Sequence, residues 1–220
     1  MNRSPEIKKW DLLHSNNSSR LVYPSEAVIR FLKVHFPVPE EKSILDLGCG
    51  SGRHLIYMVE QGFKVSGIDY SKPSIDFVEK YFVDNSLKGE FFHGSVVCLP
   101  FENEKFDGII SYGVLLYLDK AEIENAIEEV YRVLKSGGKA FIVVRSTDDL
   151  RYGMGKEIEK NTFIIEDDST NEKGLTMHFF IAEEIKTFFS KFSEIKLGFM
   201  NHAHLTTGKY NSDFLITLIK

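Results

Sequence analysis

The 220-residue sequence contains two cysteines, no long apolar run and no basic stretch. Two cysteines are too few for a disulfide framework or a cysteine-based metal site, and such usage is typical of a reducing compartment. The first 20 residues hold no apolar segment long enough for a signal peptide or a membrane span. We therefore expect a cytoplasmic protein that has no membrane partner.

An excess of positive charge is also missing. The formal net charge is −5, and the lysines and arginines are scattered among acidic residues, whereas nucleic-acid-binding domains usually carry a basic stripe. Nucleic acid is therefore not expected as a partner. Hydrophobic residues make up 43% and charged residues 27% of the chain, which is ordinary for a globular domain of this length.

The most informative stretch is ILDLGCGSGRH, residues 44–54. Its apolar beginning predicts a short buried strand, and the apolar residues that follow it at helical spacing predict a helix. Gly48, Gly50 and Gly52 lie between the two elements. This order lets backbone N–H groups at a helix N-terminus face a ligand. The alternative is a tight turn in which the glycines only accommodate positive φ.

Strands and helices alternate beyond this loop. Strands are predicted at 63–69, 90–96, 106–113 and 139–145, and helices at 72–85 and 119–138, the second ending at Gly137 and Gly138. After residue 145, strands are predicted at 161–165, 175–180, 194–200 and 211–220, and a helix at 181–192. The alternation predicts an α/β fold, doubly wound, with a mostly parallel sheet and helices on both faces.

The end of the second predicted strand carries Asp69. In doubly wound sheets a carboxylate there, about 20 residues beyond the glycines, can bind ribose hydroxyls. Alternatively, Asp69 caps the helix that starts near Ser71. The loop departs from the dinucleotide fingerprint G-x-G-x-x-G, because Arg53 stands in place of the third glycine. This departure disfavours a nicotinamide cofactor.

Four stretches carry a family resemblance: ILDLGCGSGRH, VSGIDYS, GSVVCLPFENEKFDGIISYGVLLYL and EEVYRVLKSGGKAFIVV. In this order they resemble the successive motifs of class I S-adenosylmethionine-dependent methyltransferases, over residues 44–144. The resemblance implies a seven-stranded Rossmann-like sheet whose antiparallel last strand is inserted beside the fifth. It also implies S-adenosyl-L-methionine as the cofactor and S-adenosyl-L-homocysteine as the product.

The resemblance further implies which residues bind the cofactor. Asp46 would lie near the ammonium group, and Tyr70 would cover the adenine. Ser95 stands where many relatives have an aspartate, so it would bind the adenine amino group without charge assistance. The implied cofactor-binding set comprises Asp46, Gly48, Cys49, Gly50, Asp69, Tyr70, Ser95, Val96 and Ser111.

Candidate bases lie at the predicted ligand end of the sheet. Tyr112 ends the fourth strand, where the resemblance places the sulfonium and the acceptor, and His202 and His204 follow the sixth strand. Each could deprotonate a hydroxyl acceptor. His54 and His93 are interpreted as packing or surface residues. No third ligand accompanies the histidines, so no metal is predicted.

The domain prediction divides the chain into residues 1–40, an N-terminal helical arm or lid, and residues 41–220, the methyltransferase domain. Residues 146–178 are either a surface excursion or an insertion that faces the substrate. Tyr23 belongs to the arm, which either packs on the domain or closes over the site and contacts the substrate. Arg145 and Arg151 are candidates to bind a carboxylate or phosphate of the acceptor, and their alternative is a solvated surface.

The predicted function is transfer of a methyl group from S-adenosylmethionine to an oxygen or nitrogen of a small-molecule acceptor, by a monomer or a homodimer. One alternative is an NAD(P)-dependent oxidoreductase with a degenerate fingerprint. Tyr131 and Lys135 have the Y-x-x-x-K spacing of short-chain dehydrogenases, which would place them on one helical face. Another alternative is a regulatory protein that binds S-adenosylmethionine without catalysis.

Overall fold

A computed structural model describes residues 4–15, 20–168, 171–203, 206 and 210–220. The described strands are β1 Ser43–Leu47, β2 Lys64–Asp69, β3 Glu90–His93, β4 Phe106–Tyr112, β5 Leu134–Arg145, β6 Gly155–Glu159, β7 Thr162–Ile165, β8 Thr176–His178, β9 Glu194–Ala203 and β10 Tyr210–Ile219. The described α-helices are α1 Ser4–Ser15, α2 Glu26–His35, α3 Arg53–Glu60, α4 Lys72–Asp84, α5 Lys120–Val133 and α6 Ala182–Phe188.

The main sheet has seven strands in the order β3-β2-β1-β4-β5-β10-β9. The first five strands of the sequence pair in parallel. Strand β10 runs antiparallel between β5 and β9. The predicted α/β class and the insertion of the last strand beside the fifth are therefore confirmed. The order reverses between β1 and β4, and ligands bind at such a point in doubly wound sheets.

Helices cover both faces of this sheet, which explains why its central strands read as continuous apolar runs. One apolar cluster joins α2, α3 and α4 to the sheet, and the Phe31 ring of α2 stacks on Phe141 of β5 with centroids 5.1 Å apart. The other face packs against α5, α6 and the strands that follow β5.

The junction between α5 and β5 differs from the prediction. Helix α5 begins with a capping box in which Asp119 and Glu122 exchange hydrogen bonds, but it ends at Val133 rather than at the glycine pair. Leu134 already pairs with Phe106. The backbone N–H of Gly137 donates to the carbonyl of Lys220 at 3.0 Å. Pairing with two distant segments thus draws residues 134–138 into the sheet.

The region 146–178 contains a small antiparallel sheet in the order β6-β7-β8. Strands β7 and β8 were predicted, whereas β6 lacks the apolar alternation that would have indicated it. The N-terminal helix reaches this sheet, since Glu6 Oε1 accepts hydrogen bonds from the Thr176 N–H at 3.0 Å and hydroxyl at 2.7 Å. No helix among the described residues is long and apolar enough to span a bilayer. The domain division at residue 40 stays a prediction.

Candidate active site

The glycine loop connects β1 to α3. Its three alternate glycines, Gly48, Gly50 and Gly52, have φ values of +66°, +52° and +76°, a region that L side chains rarely adopt. A side chain at Gly48 would also clash with a neighbour, because a Cβ there would come within 2.4 Å of a methyl carbon of Val114. Positive φ therefore accounts for all three glycines, and close approach of a neighbouring segment adds a second reason at Gly48.

Asp69, at the end of β2, fastens this loop. Its Oδ2 accepts a hydrogen bond from the Gly50 N–H at 2.8 Å, and its Oδ1 accepts one from the Ser71 N–H at 2.8 Å. The prediction that Asp69 itself caps α4 is wrong, because Ser71 is the N-cap and its hydroxyl accepts the Ser74 N–H, whereas Asp69 binds the N–H of the cap residue. A carboxylate can accept several donors at once, so these bonds are compatible with ribose binding, which stays a prediction.

Asp46 is a buried carboxylate in β1, only 1% exposed. Its Oδ2 accepts no hydrogen bond from any described residue. The pKa of Asp46 is raised to about 8, chiefly by burial; the Arg53 guanidinium opposes the shift and the charge of Asp69 adds to it. A buried acceptor without a donor is unfavourable. The ammonium group of S-adenosylmethionine is a suitable donor, so the residues present fit the implied cofactor.

His54, in the first turn of α3, lies beside Asp46. Its Nδ1 is 3.8 Å from Asp46 Oδ2, and its Nε2 accepts a long hydrogen bond of 3.4 Å from the Ser25 N–H. Burial, together with the nearby charge of Arg53, lowers the pKa of His54 to about 3. The imidazole is therefore neutral at pH 7. Sequence reasoning gave His54 only a packing role, although its place directly after the glycine loop was a usable signal.

The end of β4 completes this part of the site. Tyr112 is half-buried, with its ring centroid 5.5 Å from that of His54 and 5.1 Å from the guanidinium carbon of Arg53. Ser111 is fully buried, and its hydroxyl has no hydrogen-bond partner among the described residues. The structure thus places Tyr112 beside His54 and Arg53. Its role as a base stays a prediction.

The candidates for the adenine end follow β2 and β3. The Tyr70 carbonyl lies 3.1 Å from His93 Nε2. The Ser95 hydroxyl accepts a bond of 3.4 Å from the Val97 N–H, and Val96 is buried. These positions lie at the carboxyl ends of neighbouring parallel strands, the edge at which the glycine loop also lies. Cys49, within that loop, is a buried free cysteine.

Both arginine candidates are held by carboxylates of the chain. Arg145 lies 3.3 Å from Asp149 and 3.2 Å from Asp213. Arg151 lies 2.8 Å from Asp149 and 2.9 Å from Glu172. Burial raises the pKa of Asp149 to about 6, although Arg145 opposes the shift. An anionic acceptor would therefore compete with these carboxylates, and the predicted role of the arginines stays a prediction.

The histidine candidates differ in placement from the expectation. His202 lies within β9, opposite Asn211 of β10, and is exposed, so it is a strand residue rather than a loop residue. The register of β9 with β10 extends further than the apolar pattern indicated. His204 lies outside the described residues.

The segment 20–25 of the N-terminal arm runs along the glycine loop. The Leu21 carbonyl accepts a bond of 2.6 Å from the Ser51 hydroxyl. The Tyr23 carbonyl accepts one of 3.3 Å from Arg53, while the Tyr23 side chain is 83% exposed. Together with the bond from Ser25 to His54, these contacts fix the segment against the start of α3. Whether the arm acts as a lid, and whether Tyr23 contacts a substrate, stay predictions.

A second polar set lies between the small sheet and α6. The Thr162 hydroxyl is 2.7 Å from His178 Nδ1, and His178 Nε2 is 2.9 Å from Glu184 Oε2. The order resembles a hydroxyl–imidazole–carboxylate triad, but Thr162 and His178 are fully buried. We interpret the set as a structural link.

The prediction that Tyr131 and Lys135 share one helical face is wrong. Tyr131 lies in α5, whereas Lys135 lies in β5. Lys135 Nζ pairs with Asp107 at 2.9 Å, and the Tyr131 ring packs edge-on against Phe192. The chain therefore does not assemble the residues on which the oxidoreductase alternative depended.

Comparison with known proteins agrees with this geometry. A profile described as a methyltransferase domain matches residues 44–138. A ubiquinone biosynthesis O-methyltransferase of Pelagibacter ubique is 32% identical over 136 residues, 61% of this chain and 55% of that protein. A tRNA N(3)-methylcytidine methyltransferase of Drosophila melanogaster is 27% identical over 160 residues, 68% of this chain and 47% of that protein.

Among solved structures, a SAM-dependent methyltransferase from Methanosarcina mazei superposes with a TM-score of 0.73 at 27% identity, over 85% of this chain and 96% of that one. The chain spans about half the length of the curated relatives it matches. The matched profile covers the glycine loop, Asp46 and Asp69, and the fold has the strand order that the resemblance implied. The profile over residues 44–138, the curated relatives and the solved structure together support a class I S-adenosylmethionine-dependent methyltransferase.

Proposed function

We propose that this protein transfers a methyl group from S-adenosylmethionine to an oxygen or nitrogen of a small-molecule acceptor. The observation that carries the proposal is the buried Asp46 carboxylate, whose Oδ2 accepts no hydrogen bond from the described part of the chain. It lies beside a loop of left-handed glycines at the carboxyl ends of β1 and β2. An ammonium group would supply this acceptor with both a hydrogen bond and a compensating charge.

In this proposal the chain's residues bind and orient the reactants. Asp46 accepts the ammonium of the cofactor, Asp69 accepts its ribose hydroxyls, and the glycines permit close approach of the loop. Tyr70, Ser95 and Val96 surround the adenine. S-adenosylmethionine, when bound, supplies a methyl group already activated as a sulfonium, so the protein needs no covalent nucleophile of its own. Alignment and water exclusion remain as its main tasks.

An oxygen acceptor also requires a base. Tyr112 is the candidate that lies against Arg53 and His54 at the end of β4. His202 is a candidate only by its place on β9, and His204 only by sequence. An acceptor amine that is already deprotonated would need no base, so the reaction class decides whether Tyr112 acts on a proton.

The small-molecule part of the proposal rests on charge and on relatives. The chain has a net charge of −5, and a polyanionic acceptor is usually bound through an excess of basic residues. The Pelagibacter ubique relative is named for ubiquinone biosynthesis, whereas the Drosophila melanogaster relative is named for tRNA. Arg145 and Arg151 are proposed to contact the acceptor, and Tyr23 of the arm to cover it.

Calorimetric titration with S-adenosylmethionine, S-adenosylhomocysteine and NAD tests the cofactor. We expect micromolar binding of the two adenosyl ligands and no heat with NAD. Tight binding of NAD, or failure of both adenosyl ligands to bind, would overturn the assignment. Asp46→Asn should weaken both adenosyl ligands, while Asp76→Asn, on the exposed surface of α4, serves as the matched control.

The acceptor is tested with methyl-labelled S-adenosylmethionine and a cell extract separated into small metabolites, RNA and protein. We expect label in the metabolite fraction, and its absence with the Asp46→Asn variant. Label in RNA or protein would contradict the small-molecule proposal. Cofactor binding without label in any fraction would instead favour a regulatory protein that binds S-adenosylmethionine.

A further inference from the structure

His54 connects three parts of the molecule that are distant in sequence. It belongs to α3, its Nε2 accepts the N–H of Ser25 in the arm, and its Nδ1 faces Oδ2 of Asp46 in β1. The imidazole is 4% exposed, so water competes little for either nitrogen. Ser25 and His54 are 29 positions apart in the sequence, and the donor in their hydrogen bond is the Ser25 backbone N–H.

The hydrogen bond from Ser25 determines where the imidazole carries its proton. A neutral imidazole has one donor nitrogen and one acceptor nitrogen. Because Nε2 accepts the Ser25 N–H, the ring proton belongs on Nδ1, the nitrogen 3.8 Å from Asp46 Oδ2. This N–H therefore lies on the nitrogen nearest the buried oxygen that lacks a hydrogen bond from the described residues. The distance exceeds a hydrogen bond, so a movement of about 1 Å would be needed to form one.

We propose that His54 is a positioning residue for the cofactor: its Nδ1–H orients Asp46 so that, once a bound ammonium stabilises the ionised carboxylate, Oδ2 accepts that ammonium. The inference rests on the proposed function. It assigns His54 a role in recognising the amino-acid part of the ligand, and it makes the backbone of the arm at Ser25 part of that recognition.

The charges around Asp46 are consistent with this role. Arg53 and Asp69 act on it with opposite signs, and Arg53 is itself held by the Tyr23 carbonyl and the Tyr112 ring. Among the basic side chains of the described residues, only that of His54 lies within 4 Å of an Asp46 carboxylate oxygen. An imidazole that stays neutral adds a dipole to the pocket without a positive charge that would repel an ammonium.

The test compares two ligands that differ in the part His54 is proposed to recognise. S-adenosylhomocysteine carries the amino-acid group, whereas 5′-methylthioadenosine has the same nucleoside and thioether without it. His54→Phe keeps a planar ring and removes both nitrogens. We expect about a tenfold rise in Kd for S-adenosylhomocysteine and less than a twofold change for 5′-methylthioadenosine. His54→Asn, which keeps an N–H donor near the Nδ1 position, should restore binding to within about threefold of the wild type.

Each outcome separates this inference from the proposed function. Failure of the wild type to bind either ligand would refute the proposed function. If the wild type binds and His54→Phe weakens both ligands equally, or weakens neither, His54 has no positioning role. His35→Phe is the matched control, because His35 lies at the end of α2 with its ring against Phe31.

Two further variants keep the inference testable if His54→Phe does not fold. Ser25→Pro removes the N–H together with a hydroxyl that makes no capping hydrogen bond, and the Ser25 φ of −68° is close to that of proline. We expect a rise of about threefold in Kd for S-adenosylhomocysteine alone. In a double-mutant cycle, His54→Leu, which removes the N–H, combined with Asp46→Asn should cost no more than Asp46→Asn alone. Additive losses would show that His54 does not act through Asp46.

Discussion

Asp69 Oδ2 accepts a hydrogen bond of 2.8 Å from the Gly50 backbone N–H, across 19 residues of sequence. The other oxygen of the same carboxylate accepts the N–H of Ser71, the residue that caps α4. One side chain at the end of β2 therefore fixes both the loop after β1 and the start of the next helix. The loop, the strand end and the helix cap therefore form a single hydrogen-bonded unit.

Replacing Asp69 by alanine should lower the free energy of unfolding and weaken S-adenosylhomocysteine binding together. Hydrogen bonds to a charged group contribute about 1.5–3 kcal/mol each, so the loss of two predicts roughly 3–6 kcal/mol, and we expect at least a tenfold rise in Kd. Urea denaturation and calorimetry measure the two effects. Asp76→Ala, which removes an exposed partner of Lys72, should change stability by less than about 1 kcal/mol. Unchanged affinity in Asp69→Ala would refute the ribose assignment.

The raised pKa of Asp46, about 8, predicts an unusual pH dependence of stability. Between pH 4 and pH 8 the folded protein keeps a proton on Asp46 that the unfolded chain has lost. Stability must therefore fall as pH rises through this window. Asp46→Asn removes the titrating group, so its stability relative to the wild type should increase from pH 5 to pH 8, by about 1–4 kcal/mol.

Urea midpoints of the two proteins at pH 5, 6.5 and 8 measure this difference. His54 contributes the opposite slope below pH 6.5, because its lowered pKa of about 3 leaves the folded protein unprotonated where the unfolded chain binds a proton. The comparison of Asp46→Asn with the wild type cancels that contribution. A difference that stays constant across the three pH values would show that Asp46 is ionised throughout.

Local patterns predicted the alternation of strands and helices and the glycine loop because their signals lie within a few residues of each other, whereas the place of the last strand beside the fifth was implied by the family resemblance. The ends of elements were less predictable where distant segments compete, as when Lys220 draws Gly137 and Gly138 into β5. A site residue could be predicted from the sequence where it lies at the end of a predicted strand, as Asp69 does at the end of β2. The contact of His54 with Ser25 and the contact of Arg145 with Asp149 form only when the chain folds. The periodicity of apolar residues therefore could not predict either contact.

Besides its polar contacts with the glycine loop, the arm makes an aromatic contact near the ligand end of the sheet. The Trp10 ring of α1 packs edge-on against Tyr117, which follows β4, with centroids 4.8 Å apart. Such a pair contributes about 0.5–1.5 kcal/mol beyond the area it buries. Trp10→Ala should therefore increase the amide exchange rate of Ser4–Ser15 by roughly 3–10-fold, since each 1.4 kcal/mol is a tenfold change in an opening equilibrium.

Leu12→Ala is the control for this measurement, because Leu12 lies on the same helix and is 73% exposed. It removes a similar apolar side chain without removing a ring contact. If the arm is a lid, Trp10→Ala should also speed dissociation of S-adenosylhomocysteine, whereas Leu12→Ala should not. Equal exchange rates in both variants would show that the Trp10 contact does not hold the arm in place.

Gly48 and Gly113 offer a matched pair for separating backbone strain from crowding in the loop. Both are left-handed, with φ of +66° and +71°, but a Cβ at Gly48 would meet Val114 at 2.4 Å while a Cβ at Gly113 has no neighbour within 4 Å. A left-handed conformation costs an L residue about 1–2 kcal/mol. Overpacking adds about 1–3 kcal/mol more. Gly48→Ala should therefore destabilise the protein more than Gly113→Ala, as measured by urea denaturation.

Val114→Ala identifies the cause of the difference. It removes both methyl groups that crowd the new Cβ, so the double variant Gly48→Ala with Val114→Ala should be destabilised by less than the sum of the single variants. The residual loss should approach that of Gly113→Ala, which reports backbone strain alone. Strict additivity would mean that Val114 does not limit the loop, and that Gly48 is required for its φ and for nothing else.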